Sequence, residues 1–142
     1  MKVYISGCTR TMYREIKETA ELLSKAGHSA TYYVRGTVYN KTLLEMADAV
    51  VFVLPGLSWE TPLRKLTQCS LKELIYCLNN KKDFYIAYKT FDGVLNIYAA
   101  QINEDLCIKG TDSTYMNLDT INDILESPTN QETYVTTTER FY

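Results

Sequence analysis

The chain has 142 residues, of which 46% are hydrophobic and 23% charged, and its formal net charge is −2. These values fit one globular domain, large enough to bury roughly 68–70% of the surface its unfolded chain exposes. They exclude the basic footprint of a nucleic-acid polymer binder: lysines and arginines are scattered, with no run longer than Lys81-Lys82, and no segment approaches the ~20 apolar residues of a membrane span.

Lys2–Ser6 reads as a short buried strand ended by Gly7. A strand this early does not read as a signal peptide, so a reducing, cytoplasmic setting is expected. The four cysteines, Cys8, Cys69, Cys77 and Cys107, are then free thiols, and they contain no C-x-x-C pair. The single histidine, His28, sits in a turn beside Gly27. That inventory argues against a zinc site or a His-based triad, and no metal or cofactor is expected.

Thr11–Ala26 reads as a helix, with Ile16, Ala20, Leu23 and Ala26 at helical spacing and Gly27 as its stop. Ser29–Val34 is β-branched and aromatic, hence a strand. Lys41–Ala47 reads as a short helix with Asn40 as N-cap. Ala49–Leu54 has no polar alternation, the mark of a central strand covered on both faces; Pro55-Gly56 ends it. Leu57–Cys69 reads as a loop in which Pro62–Leu66 could form a helical turn, and Ser70–Asn80 as a helix. Asp83–Tyr88 is a further strand, followed by strands at Val94–Ala99 and Leu106–Ile108 around an Asn103-Glu104-Asp105 turn. A last helix is expected over Leu118–Leu125, ending near Ser127-Pro128.

Strands alternating with helices imply right-handed crossovers and helices on both sheet faces. The expected fold is α/β: a three-layer Rossmann- or flavodoxin-like domain over residues 1–128 with a central, mostly parallel five-stranded sheet, then a polar tail over residues 129–142. Ligands of such sheets bind outside the carboxyl ends of the strands. The loops to watch are therefore Gly7–Thr11, Arg35–Asn40, Pro55–Cys69 and Lys89–Gly93.

Three features there could carry chemistry. Ser6-Gly7-Cys8-Thr9-Arg10-Thr11 leads from a strand into a helix, where backbone amides and Arg10 could hold an anion, or where the chain simply turns. It is neither a Walker A loop nor G-x-G-x-x-G. Ser70-Leu71-Lys72-Glu73 has the spacing of a capping box, Ser70 capping and Glu73 returning the bond. Alternatively Glu73 faces the crevice from the first turn of its helix, where a carboxylate could attack an anomeric carbon. Tyr4 either orients Glu73 or packs against a helix. The chain also holds twelve tyrosines, a residue that joins a large ring to a hydrogen-bonding hydroxyl and suits interfaces, polar aromatic ligands or half-buried strands alike.

These segments together resemble the nucleoside 2-deoxyribosyltransferase family. Tyr-Ile-Ser-Gly at positions 4–7 looks like its opening strand, and Met46-Ala-Asp-Ala-Val-Val-Phe-Val-Leu-Pro-Gly56 is similar to its central strand. Ser70-Leu-Lys-Glu-Leu-Ile-Tyr-Cys-Leu-Asn-Asn-Lys-Lys82 looks like its nucleophile helix, and Val94–Ile108 is compatible with its next strands. The resemblance covers the chain to about residue 110 and rests on order and spacing.

It implies that Glu73 attacks C1′ of a deoxyribose while Tyr4 holds it, and that a second base or water collects the sugar. Ser6, Gly7, Arg10, Asp48, Gly56 and Ser70 would then bind substrate. The resemblance further implies a homo-oligomer, dimer or higher, in which Asn103 or Asp105 of a neighbour and the terminal Tyr142 reach the site. Arg10 would favour a phosphorylated substrate. The sequence departs from the family just before Glu73: Leu66-Thr67-Gln68-Cys69 has neither the usual acidic residue nor a glycine, and only Glu60, thirteen residues upstream of Glu73, could substitute. Ile75 and Cys77 replace small residues after it. An enzyme of N-glycosidic bonds, an inactive protein that senses or sequesters a nucleotide-like ligand, and an interaction subunit without a ligand therefore all remain open.

Overall fold

The computed structural model describes residues 1–34, 36–38, 40–54, 64–65, 68–89, 92–102 and 107–110. In chain order these form β1 (Lys2–Ser6), α1 (Tyr13–Lys25), β2 (Ser29–Tyr32), α2 (Thr42–Glu45), β3 (Ala49–Val53), β4 (Arg64–Lys65), α3 (Gln68–Asn79), β5 (Asp83–Lys89), β6 (Leu95–Ile102) and β7 (Cys107–Gly110). The fold is α/β, and the strands lie in the order β2-β1-β3-β5-β6-β7-β4. The first five are the mostly parallel part: β1 pairs in parallel with β2 and β3, β3 with β5, and only β6 runs antiparallel to its neighbour β5. Two short antiparallel pairings, β6 with β7 and β7 with β4, extend that sheet.

β3 is central because its sequence allows nothing else. Ala49, Val50, Val51, Phe52 and Val53 are all buried, so both faces of the strand are covered. Each large apolar side chain removed from water contributes roughly 1.5–3 kcal/mol. Phe52 meets Phe84 of β5 edge to face, with ring centroids 6.3 Å apart. β2, with no buried residue, takes the sheet edge.

The helices end where local chemistry stops them. At the end of α1, Gly27 takes a φ of +91°, a conformation that L side chains resist. The amides of Gly27 and His28 then donate to the carbonyls of Ser24 (3.1 Å) and Leu23 (2.9 Å), which completes a Schellman motif. α1 begins at Tyr13, two residues later than expected. Residues 8–12 close their own turn through the Met12 amide on the Cys8 carbonyl at 2.8 Å. β2 stops at Tyr32, short of Val34, because the chain folds into a turn: Gly36 has a φ of +90°, and the Thr37 amide donates to the Val34 carbonyl at 3.1 Å.

α2 covers only Thr42–Glu45, with the Asn40 side chain accepting from the Thr42 amide at 3.0 Å. Lys82 donates to the carbonyls of Glu45 and Ala47 and so ties the end of α2 to the loop after α3. Arg64–Lys65 is a strand, in a stretch read from sequence as a loop or a helical turn. Two residues carry no periodicity, and their strand exists only through pairing with Ile108 and Cys107. Gly56, the Asn103–Asp105 turn, the expected helix at Leu118–Leu125 and the tail from residue 129 lie outside the described residues. Among the described residues no helix is long and apolar enough to cross a membrane.

Candidate functional site

The chain leaves β1 for β2 on one side and returns across the sheet to β3 on the other. The loops after β1 and β3 therefore diverge, and a crevice opens at the carboxyl ends of these strands. Ser6 is the last residue of β1 and lies at this crevice.

The Ser6 hydroxyl donates to Glu73 Oε1 at 2.7 Å and lies 3.0 Å from the Ser70 hydroxyl. Ser6 and Ser70 are buried, whereas Glu73 is half-buried and keeps access to solvent. Ser70 and Glu73 stand three residues apart on α3, on one helix face. Because α3 begins at Gln68, Ser70 lies inside the first turn and cannot be the N-cap. The capping-box reading is thereby corrected: the Ser70 hydroxyl bonds across to the strand. Further along the helix, burial pushes the Cys77 thiol well above its ordinary value, and the nearby Glu73 adds to that push.

Tyr4 precedes Ser6 by two residues, so the two side chains leave the same face of β1, about 7 Å apart along the strand. Tyr4 is buried and lines an open cavity of about 210 Å³ together with Tyr32, Tyr33, Thr37, Asn40 and Leu43. Val34 and Val38 form its rim, and Val38 is 92% exposed. The turn that carries the rim is fastened by Tyr33 Oη donating to the Thr37 carbonyl at 3.0 Å, and by Thr37 Oγ1 donating to the Val34 carbonyl at 2.5 Å. The described lining carries no charged side chain, and six of its eight residues are aromatic or aliphatic, which suits an uncharged ring.

The remaining candidates divide clearly. Gly7 packs rather than cradles: a Cβ there would lie 3.2 Å from both Ile16 Cδ1 and Val53 Cβ. Arg10 is exposed in the loop after β1, and its charge adds a minor lowering to the Cys8 thiol. Hydrogen bonds from the Thr11 hydroxyl, and then from the backbone, hold the half-exposed Cys8 thiol below its ordinary value.

Asp48 belongs to the opposite end of the sheet. It precedes β3, its carboxylate accepts from the Lys2 amide at 2.8 Å, and four residue steps along β1 take the chain from Lys2 to Ser6, about 13 Å. The structure thus places Asp48 as a tie between the amino ends of β1 and β3, away from the carboxyl-end crevice. Gly56, Asn103 and Tyr142, like Glu60 and Asp105, lie outside the described residues. Among the described residues no group of three or more His, Cys, Asp or Glu side chains could hold a metal ion.

Sequence reasoning assigned Ser6 to substrate and missed its bond to Glu73. The available signal was the two-residue period that places Ser6 on the Tyr4 face. The cavity lies partly at the Arg35–Asn40 loop singled out in the sequence, through Thr37, Val38 and Asn40, while the part played by Tyr32, Tyr33 and Leu43 was not foreseen.

Chemically, the arrangement presents a half-buried carboxylate on α3, bound by the serine that ends a buried strand, while Tyr4 on the same face of that strand lines a tyrosine-rich cavity. Such a group can act as nucleophile or general base. Comparison with protein-family models, with curated proteins and with solved structures gives no match for this chain.

Proposed function

We propose that the protein acts on the N-glycosidic bond of a nucleoside or nucleotide, by deoxyribosyl transfer or hydrolysis, with Glu73 as nucleophile. The observation that carries this reading is the Glu73 carboxylate, bound by Ser6 at 2.7 Å where the crevice opens and two strand residues from the cavity that Tyr4 lines. A Glu73 oxygen attacks C1′, and the C1′–N bond breaks with its electron pair passing to the base, which takes up a proton. A second base, or water, then attacks C1′ and releases Glu73 with the sugar transferred or freed. Tyr4 lies on the strand face from which it can hold the sugar or the carboxylate. The same reading takes the fold as a three-layer, Rossmann-like domain and the protein as a cytoplasmic homo-oligomer, with Asn103 of a neighbour reaching the site.

A second reading has one observation in its favour. Leu66-Thr67-Gln68-Cys69 supplies no carboxylate beside Glu73 to protonate a leaving base. On that reading the protein binds a nucleotide-like ligand without turnover.

Chromatography separates the two. The protein is incubated with each common deoxynucleoside and its monophosphate, with and without a competing base. Base release or exchange that disappears in Glu73→Ala supports the enzyme. No turnover, with a ligand-dependent rise in melting temperature, supports the binder.

A further inference from the structure

We propose that Ser6 and Ser70 form a two-hydroxyl relay that positions Glu73 for its reaction, with Ser6 directly on the carboxylate and Ser70 behind it. The assignment rests on the nucleophile reading above and adds two positioning residues to it.

A hydroxyl has one proton to give and lone pairs to accept with. Ser6 has an oxygen on each side: Glu73 Oε1 at 2.7 Å and Ser70 Oγ at 3.0 Å. With Glu73 ionised, the Ser6 proton goes to the carboxylate, because the charge-assisted bond is the stronger and shorter one. Ser70 must then donate to Ser6. When Glu73 carries a proton, the chain can reverse, Glu73 donating to Ser6 and Ser6 to Ser70. Once Glu73 has gained or lost its proton, rotation of the two hydroxyls completes the change, and neither arrangement leaves Ser6 unpaired.

Burial gives the relay its force. Ser6 and Ser70 are 1% and 3% exposed, so water does not compete for them. Among the described residues no buried side-chain nitrogen or oxygen lacks a partner. Two groups on one face of α3 therefore grip a single strand hydroxyl, which fixes the rotation of the helix and the carboxyl plane together. With Oε1 held, the second oxygen of Glu73 has a set position. Nucleophilic attack depends steeply on such placement, and a displacement of ~1 Å can cost ~100-fold in rate.

The test compares wild type with Ser6→Ala, Ser6→Thr and Ser70→Ala in the full chain, each verified as folded by its melting curve. The expected kinetic result for Ser6→Ala is a kcat about tenfold to hundredfold lower with KM within about twofold. Ser6→Thr, which keeps the hydroxyl, recovers most of the loss, and Ser70→Ala loses less than Ser6→Ala.

A spectroscopic arm does not depend on turnover. The protein is labelled with glutamate carrying carbon-13 in its side-chain carboxyl, and the Glu73 resonance is identified by its absence in Glu73→Gln. That resonance should move in Ser6→Ala and return in Ser6→Thr; an unmoved resonance overturns the relay. A moved resonance with unchanged kcat, or a loss confined to KM, overturns its part in the reaction. Were wild type to show no turnover, the nucleophile reading would fall, and the resonance alone would decide the relay. Should Ser6→Ala not fold, Ser70→Ala carries the same comparison, a moved resonance supporting the relay and an unmoved one overturning it.

Discussion

Lys2 and Asp48 hold each other twice: the Lys2 amide donates to Asp48 Oδ2 at 2.8 Å, and the Asp48 amide donates to the Lys2 carbonyl at 2.7 Å. This tie sets the start of β1 against the start of β3, and the pairing of Val3 with Ala49 follows directly. Asp48→Ala removes the side-chain half. Because Asp48 is exposed, the loss is expected near 1 kcal/mol, read as a lowered urea midpoint. Ligand affinity and any base release should stay at the wild-type level. A loss of activity larger than the loss of stability would return Asp48 to the site.

Gly7 is a packing glycine, and a methyl group there has two neighbours 3.2 Å away. Ile16 Cδ1 can swing aside, but Val53 Cβ is fixed to its strand. Gly7→Ala is expected to destabilise by about 1–3 kcal/mol through overpacking. Adding Ile16→Val, which deletes the closest movable methyl, should restore part of that stability and not all of it. Equilibrium denaturation of the single and double variants reads both effects.

Cys8 and Cys77 should differ sharply toward an alkylating agent in a Cys69→Ser, Cys107→Ser background. The Thr11 hydroxyl holds the Cys8 thiol below its ordinary 9.0, so the Cys8 thiolate forms at a lower pH than that of a free cysteine. The rate of Cys8 alkylation should therefore rise with pH through a midpoint below 9.0, and Thr11→Val should move that midpoint up. Cys77, buried and pushed the other way, should react only on unfolding.

Alkaline stability follows from buried phenols. Burial pushes Tyr85 from 10.0 up to about 12, and Tyr88, stacked on Tyr98 at 4.4 Å, is raised by burial and then by that neighbour. Above pH 10 the unfolded chain loses these protons while the native state keeps them. Stability should therefore be fully present below pH 10 and fall as pH rises toward 12, by about 1.4 kcal/mol per pH unit for each such group. Tyr85→Phe should flatten this limb, whatever it costs at neutral pH. A slope equal to that of wild type would show that Tyr85 titrates normally.

The rim turn offers a test of the cavity. Tyr33→Phe deletes the donor to the Thr37 carbonyl and keeps the ring in the lining. A net hydrogen bond of about 1 kcal/mol corresponds to roughly fivefold weaker binding of a ligand held under that rim. Calorimetric titration measures it. Unchanged affinity would mean that the ligand does not rest on the turn.

Most of the frame was legible in the residues, and the limits of that legibility have physical causes. Ala49–Leu54 announced its central place because a strand covered on both faces can carry no polar alternation. Gly27 announced the end of α1 because φ near +90° suits little else. Strand and helix starts were less exact. The residues from Cys8 to Met12 could have continued α1, and Ser70 could have capped α3; in each case a hydrogen bond from elsewhere in the fold or loop decided. Glu73 stood out in the sequence, and its bond to Ser6 did not, since 67 residues separate the two and no local pattern spans that distance.

The sequence by itself determined most of the strands and helices, which strand is buried on both faces, and that Glu73 lies on the helix that precedes β5. These depend on short-range periodicity, backbone preference and residue chemistry. Only the tertiary structure decided that β6 runs antiparallel, that Arg64–Lys65 pairs with β7, that Asp48 ties the amino ends of two strands, and that the Ser70 hydroxyl turns from its own helix to Ser6. Each of these depends on which surfaces a crossover brings together, and that choice is made by burial of the whole core at once.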